Sequence, residues 1–166
     1  EEQSRGAEAD AGALDEPSAH ALRELRIFLR AVLHELRKER KFAPFLKPVD
    51  PEEAPDYYAL VKRPLDLETM RMKVDRGEYE TYALFMADLE RLKSNAERYH
   101  PLGGRDVRGR QIVHASYNLI DQASSMGHRF KRRLGYDLFQ RCEDIRARRR
   151  AASGNPHPEA RRSRLL

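Results

Sequence analysis

Six histidines, one cysteine and many carboxylates could in principle do chemistry in this chain. Their spacing argues against most of it. His20, His34, His114, His128 and His157 show no paired metal-ligand interval, so no zinc site is expected. Cys142 stands alone, which excludes an intrachain disulfide and a paired-cysteine metal site. There is no GxSxG elbow, no Cys/His pairing that the sequence can defend and no GxxxxGK[ST] phosphate loop. The chain therefore reads as a non-enzyme without metal or cofactor. What remains is binding chemistry. Phe45, Leu46, Val49, Tyr57, Tyr58, Leu60 and Val61 are interleaved with five of the nine prolines, and the pair Tyr99-His100 precedes a second Pro/Gly turn.

The elements that must position these residues are helical. Ser18 is a candidate N-cap. Leu22, Leu25, Leu29, Val32 and Leu36 then recur at helical spacing, which predicts a long amphipathic helix to about Lys41. Pro44, Pro48, Pro51, Pro55 and Pro64 cannot sit inside a regular helix, yet the apolar content between them argues against a disordered linker. The stretch is read as an ordered, proline-stiffened loop, with a short helix over Asp56 to Lys62. Asp66 caps a short helix with Leu67, Met70 and Val74 inward, and Gly77 ends it. Thr81 caps the next, striped by Phe85, Leu89, Leu92, Ala96 and Tyr99 and stopped by Pro101. A turn follows over His100 to Gly104. A further helix starts near Asp106, carries Ile112, Val113, Tyr117, Ile120 and Ala123, and is expected to run past Phe130. Gly135 marks a break before a last helix carrying Leu138, Cys142 and Ile145.

Length and composition bound the rest. The chain has 166 residues, enough for one domain with tails, and a formal net charge of +5. That excess alone does not point to nucleic acid, since the distribution of charge decides. No apolar run approaches the roughly 20 residues of a membrane span. Residues 1–17 read as an acidic disordered linker with no apolar signal-peptide core, 18–150 as the folded domain with its C-terminal helical extension, and 151–166 as a basic disordered tail.

Long helix, proline-rich loop, short helix, then two long helices is the order of the bromodomain, and the residues agree. Ala43-Pro44-Phe45 resembles the family's Trp-Pro-Phe shelf, with alanine in place of tryptophan. Lys47-Pro48-Val49-Asp50 followed by Ala54-Pro55-Asp56-Tyr57 resembles its first inter-helix loop. Pro64-Leu65-Asp66-Leu67 resembles the Pro-Met-Asp-Leu signature, and Ser94-Asn95-Ala96-Glu97-Arg98-Tyr99 the end of the third helix. Within the family the chain is similar to the bromodomain of chromatin-associated AAA+ ATPases, through Leu25 to Arg30, Lys47 to Glu52 and Cys142 to Ile145. The resemblance covers about Ala21 to Arg146. It implies an all-α, left-handed antiparallel four-helix bundle with long inter-helix loops and a C-terminal helical extension.

It also implies a site. Acetylation turns an ammonium into a neutral amide, so a reader needs an apolar slot with one or two placed hydrogen-bonding groups. A charged lysine would be rejected there by its desolvation cost. By resemblance, Pro44, Phe45, Val49 and Ala54 are walls, and Tyr57 is the loop tyrosine that reaches the acetyl carbonyl through water. Tyr99 precedes the anchor, and Ile112 stands at the gatekeeper position. The chain departs from the family at the anchoring asparagine itself, where it has His100. Neutral imidazole offers one donor and one acceptor on a larger ring. Losing the anchor contact would cost about 1–3 kcal/mol, roughly ten- to a hundredfold in affinity. Asn95 is about 7.5 Å further down the helix axis and is no easy substitute.

Two functions follow as expectations. The first is a nuclear acetyl-lysine reader of histone tails, a monomeric module of a larger protein with no membrane contact. The second is a degenerate bromodomain serving protein or nucleic-acid interaction. It is motivated by His100, Ala43 and the basic runs Lys131-Arg132-Arg133 and Arg146 to Arg150. Without the resemblance, Tyr57 and Tyr99 would read as core aromatics with wet hydroxyls, and the basic runs as solvated helix faces.

Overall fold

The computed structural model describes residues 13–100, 105–134 and 136–154. Six helices and one 3-10 turn succeed one another: α1 Glu16–Lys38, the turn Arg40–Phe45, α2 Tyr57–Leu60, α3 Leu67–Asp75, α4 Tyr82–Tyr99, α5 Val107–Arg133 and α6 Leu138–Ala152. No strand occurs among the described residues. α1, α3, α4 and α5 form the bundle, and α6 lies against α1 as a C-terminal extension.

Each long helix starts where a short polar side chain takes up orphan amides. Asp66 accepts from the Thr69 amide at 2.9 Å, and Thr81 accepts from the Leu84 amide at 3.2 Å. Asp106 and Asp137 cap α5 and α6 in the same way. The cap of α1 corrects the sequence reading. It is Asp15, whose carboxylate accepts from the Ser18 amide at 2.8 Å, and Ser18 lies within the first turn. Pro17 fits that first turn because its missing N–H would be an orphan anyway. α1 also ends at Lys38, short of Lys41, and the chain tightens into the 3-10 turn that contains Pro44.

The core is the expected set along α1, α3 and α4: Leu25, Leu29, Val32, Leu36, Leu67, Met70, Val74, Phe85 and Leu89 are all sealed from solvent. α5 meets expectation in part, with Val113 and Ala123 buried and Ile112 and Ile120 packed against the core. Its buried face is Gly109, Val113, Ala115, Ser116, Leu119, Ala123 and Gly127, whereas Tyr117 is 42% exposed and bonds outward to Glu97. Ile112 and Ile120 are only half-buried. Small residues let α4 and α5 approach closely and antiparallel. The start of α4 meets the end of α5, where a Cβ on Gly127 would collide with the Tyr82 hydroxyl. Phe28, Tyr82, Phe130 and Phe139 stack there, with centroid separations of 4.1 Å for Phe28–Phe130 and 4.2 Å for Tyr82–Phe139. This aromatic cluster joins α1, α4, α5 and α6 at one end of the bundle. α4 has 18 residues, which places its other end about 27 Å away. The expected turn at 101–104, the break at Gly135 and the chain before 13 and after 154 lie outside the described residues.

Candidate functional site

The far end of α4 opens into a cleft of about 890 Å³. One wall is the chain between α1 and α3. Pro44 sits inside the 3-10 turn and Phe45 is buried beneath it. The following segment is held in shape by its own polar groups. The Leu46 carbonyl accepts from the Glu68 amide at 3.1 Å, tying the loop to α3. The Asp50 carbonyl accepts from the Ala54 amide at 3.0 Å, while its carboxylate accepts from the Glu52 amide at 2.9 Å. That side-chain turn is a local alternative to a helix, of the kind Asp favours. The Tyr58 hydroxyl donates to the Val49 carbonyl at 2.5 Å and closes the loop on itself.

The opposite wall belongs to α4 and α5. All eight residues expected from the sequence line this cleft: Pro44, Phe45, Val49, Ala54, Tyr57, Tyr99, His100 and Ile112. Leu92 and Ala96 form its α4 floor, and Lys47, Asp50, Glu53 and Arg108 also line it. Tyr57 begins α2, is buried, and meets Tyr99 edge-on at 5.0 Å. Burial holds its hydroxyl above the usual phenol range, with smaller contributions from Tyr58, Asp66 and Tyr99, so it stays a neutral donor at physiological pH. The Tyr99 hydroxyl donates to Asp56 at 2.9 Å and joins the end of α4 to the start of α2. Lower on α4, the Asn95 amide nitrogen donates to the Arg63 carbonyl at 2.9 Å. Asn95 therefore clamps the loop and does not face a ligand.

His100 is the C-cap of α4, its amide bonded to the Ala96 carbonyl at 2.8 Å. The imidazole stands edge-on to Tyr99 at 4.8 Å. Its Nδ1 is 3.8 Å from an Asp106 carboxylate oxygen, too far for a direct hydrogen bond. Burial lowers the pKa of the ring below the usual histidine value; Asp106 opposes that shift and Arg108 reinforces it. The ring is thus neutral at physiological pH, and the cleft keeps its volume with the ring in place. Beside apolar walls the cleft holds the Tyr57 phenol and a neutral imidazole, groups that can hydrogen-bond a neutral amide.

Sequence reasoning missed Tyr58, Asn95 and Arg108 as parts of this site. Tyr58 had a signal in its adjacency to Tyr57. Asn95 acts on the distant Arg63 carbonyl and left none, and Arg108 enters only as a side chain that lines the cleft. Among the described residues no group of three or more His, Cys, Asp or Glu side chains could hold a metal. No helix of the described chain is long and apolar enough to cross a membrane.

Comparison with known proteins agrees with this architecture. Residues 29–107 match the bromodomain family model. The ATPase family AAA domain-containing protein 2 of Mus musculus is 39% identical over 137 residues, 82% of this chain and 13% of that protein. The corresponding protein 2B of Homo sapiens is 34% identical over 142 residues, 86% of this chain and 9% of that protein. The nucleosome-remodeling factor subunit NURF301 of Drosophila melanogaster is 34% identical over 73 residues, 44% of this chain and 3% of that protein. The chain belongs to the bromodomain family, whose members are binding modules and not catalysts. Within it, the chain resembles the bromodomains of AAA-domain ATPases, and it spans only about a tenth of those relatives' length.

Proposed function

We propose that this domain recognises the neutral side-chain amide of acetylated lysine on histone tails, as a monomeric nuclear module of a larger protein, with His100 at the anchoring position. The observation that carries this reading is the convergence of Tyr57, Tyr99 and His100 with apolar walls in one cleft that the imidazole does not fill. Relatives named for nucleosome remodelling and histone acetylation support a chromatin setting. Titration with an acetylated histone H4 tail peptide and its unmodified twin, followed by NMR, tests the reading. Acetyl-dependent shifts at Tyr57, Tyr99 and His100 are expected. No acetyl-dependent shift in this chain, together with binding by His100→Asn, would mean that the cleft exists but the reader function is lost.

The second reading is a degenerate bromodomain that contacts nucleic acid through its basic helices. Arg132, Arg133 and Arg148 are exposed and favour it. Two neighbouring cations are already engaged, Lys131 with Asp137 at 3.0 Å and Arg149 with Glu80 at 3.4 Å, which weakens it. Binding of that kind would fall steeply with salt and ignore acetylation.

A further inference from the structure

An imidazole is bulkier than the carboxamide it replaces, and the space for it has to come from somewhere. In this fold it comes from α5. Gly109 lies buried in the first turn of α5, facing the end of α4. A Cβ built on it would fall 2.6 Å from His100 Nδ1 and 3.0 Å from His100 Cγ, and 2.9 Å from an Asp106 carboxylate oxygen. Real carbon atoms do not pack that closely to a ring. Tyr99 stands edge-on to the same ring. A ring displaced from α5 has the cleft as its open direction.

We propose that His100 and Gly109 act as one unit: the missing side chain at 109 makes a notch on α5 in which the imidazole is parked, so that the cleft stays open to a ligand. Gly109 is thus a positioning residue that determines whether a histidine can stand at the anchor. Glycine is otherwise a poor choice for the first turn of a helix, because it lacks the helix propensity of alanine. The parking also sets the chemistry offered to the ligand. Nδ1 and Cγ lie against α5, and the ring atom opposite that bond is Nε2. Nε2 is therefore the nitrogen left for the amide of an acetylated lysine, a consequence that rests on the function proposed above.

A double-mutant cycle on the full chain tests the pair, using Gly109→Ala, His100→Asn and the combination, with thermal midpoint as the first readout. Alanine at 109 shifts the midpoint more favourably when asparagine stands at 100 than when histidine does, because helix propensity improves in both and the ring is in the way in only one. With His100 present it lowers the midpoint or fails to raise it. Crowding of Asp106 is common to both backgrounds and cancels in the cycle. If Gly109→Ala alone does not fold while the double variant does, the coupling is supported. Equal midpoint shifts in both backgrounds, or failure of both to fold, overturns the proposal. The second readout is affinity for the acetylated peptide, expected to fall about tenfold or more on Gly109→Ala with histidine present and far less with asparagine. Absence of peptide binding in every variant would overturn the proposed function and leave the midpoint cycle to judge the pair.

Discussion

Replacing Asp88 by alanine should be among the most damaging single changes outside the apolar core. Asp88 is a buried carboxylate on α4 that gathers three side chains, from α3, from the α3–α4 connection and from its own helix. Lys73 of α3 donates to it at 2.5 Å, the Tyr79 hydroxyl at 2.6 Å, and Arg91 approaches to 3.6 Å. Burial pushes its carboxyl up, but the Lys73 and Tyr79 hydrogen bonds and the Arg91 charge outweigh that and hold it below the usual carboxylate range. Burial and the bond to Asp88 push the Tyr79 hydroxyl far up, so it remains a donor. Removing the acceptor forfeits a charge-assisted bond worth about 1.5–3 kcal/mol and leaves the buried Tyr79 hydroxyl unpaired at about 1–3 kcal/mol. Lys73 is about a quarter exposed and turns to water, recovering part of the loss. The expected net cost is about 3 kcal/mol, or roughly 6–12 °C in Tm at this chain length. Tyr79→Phe alone should cost about 1 kcal/mol. In the double variant no hydroxyl is orphaned, so the two costs should fall short of additivity by about 1–2 kcal/mol. Urea denaturation with unchanged m-values is the assay. A cost below about 1 kcal/mol for Asp88→Ala, or additivity within about 0.5 kcal/mol, would refute the reasoning. The sign with pH is also fixed. The folded-state pKa lies below the unfolded value, so the stabilisation is complete above the unfolded value and vanishes as pH falls through the folded one. The gap between wild type and Asp88→Ala should close in acid.

Gly127→Ala should destabilise the fold by about 1–3 kcal/mol through overpacking on Tyr82, despite a better helix former, and Tyr82→Phe should restore part of that loss; a more stable Gly127→Ala would contradict the close approach of α4 and α5. His100 gives a second pH dependence. Its folded pKa lies below the unfolded one, so the unfolded chain takes up the proton first, and stability declines as pH falls from about the ordinary histidine value near 6.5. His100→Asn should lack that component, as urea melts between neutral and mildly acidic pH would reveal. Asp106 and Arg108 act on the ring with opposite sign, and Lys47, Asp50 and Glu53 line the same cleft. Protonation guarantees a donor at Nε2 whichever nitrogen holds the proton in the neutral ring, so acetyl-peptide affinity should hold or rise over that window, and a fall would count against a His100 hydrogen bond.

Much of the fold was legible because the signals were local. Asp66 and Thr81 announce helix starts by side-chain chemistry alone, and Leu25 to Leu36 announce a buried face by period. On α5 the reading fails at Tyr117 and overlooks the small residues, for a physical reason. Beside Val113 and Leu119, its buried stripe contains Gly109, Ala115, Ser116, Ala123 and Gly127, which carry almost no hydrophobic signal, while Tyr117 carries much and sits outside. Close helix approach requires small residues, and a reading by apolarity overlooks them. The cap at Asp15 is not legible because aspartate and serine cap equally well and Pro17 fits either side of the boundary. The lining of the cleft was named through family resemblance, since Val49, Ala54 and Ile112 are unremarkable alone. Asn95 and Gly109 stayed hidden because each acts on a partner in another element, the Arg63 carbonyl and the His100 ring.

The loop wall of the cleft has a kinetic consequence. Pro44, Pro48, Pro51 and Pro55 remove conformers from the unfolded chain, each by an amount worth about 0.4–1 kcal/mol where the native backbone suits proline. The Asp50 turn and the Tyr58 bond fix much of what freedom remains. The loop is therefore ordered when the domain folds and not when a ligand arrives. Peptides that fit the cleft should enter it at similar rates, limited by encounter and orientation, and differ in how long they stay. Residence time, more than association rate, is where the identity of the residue at position 100 will be felt.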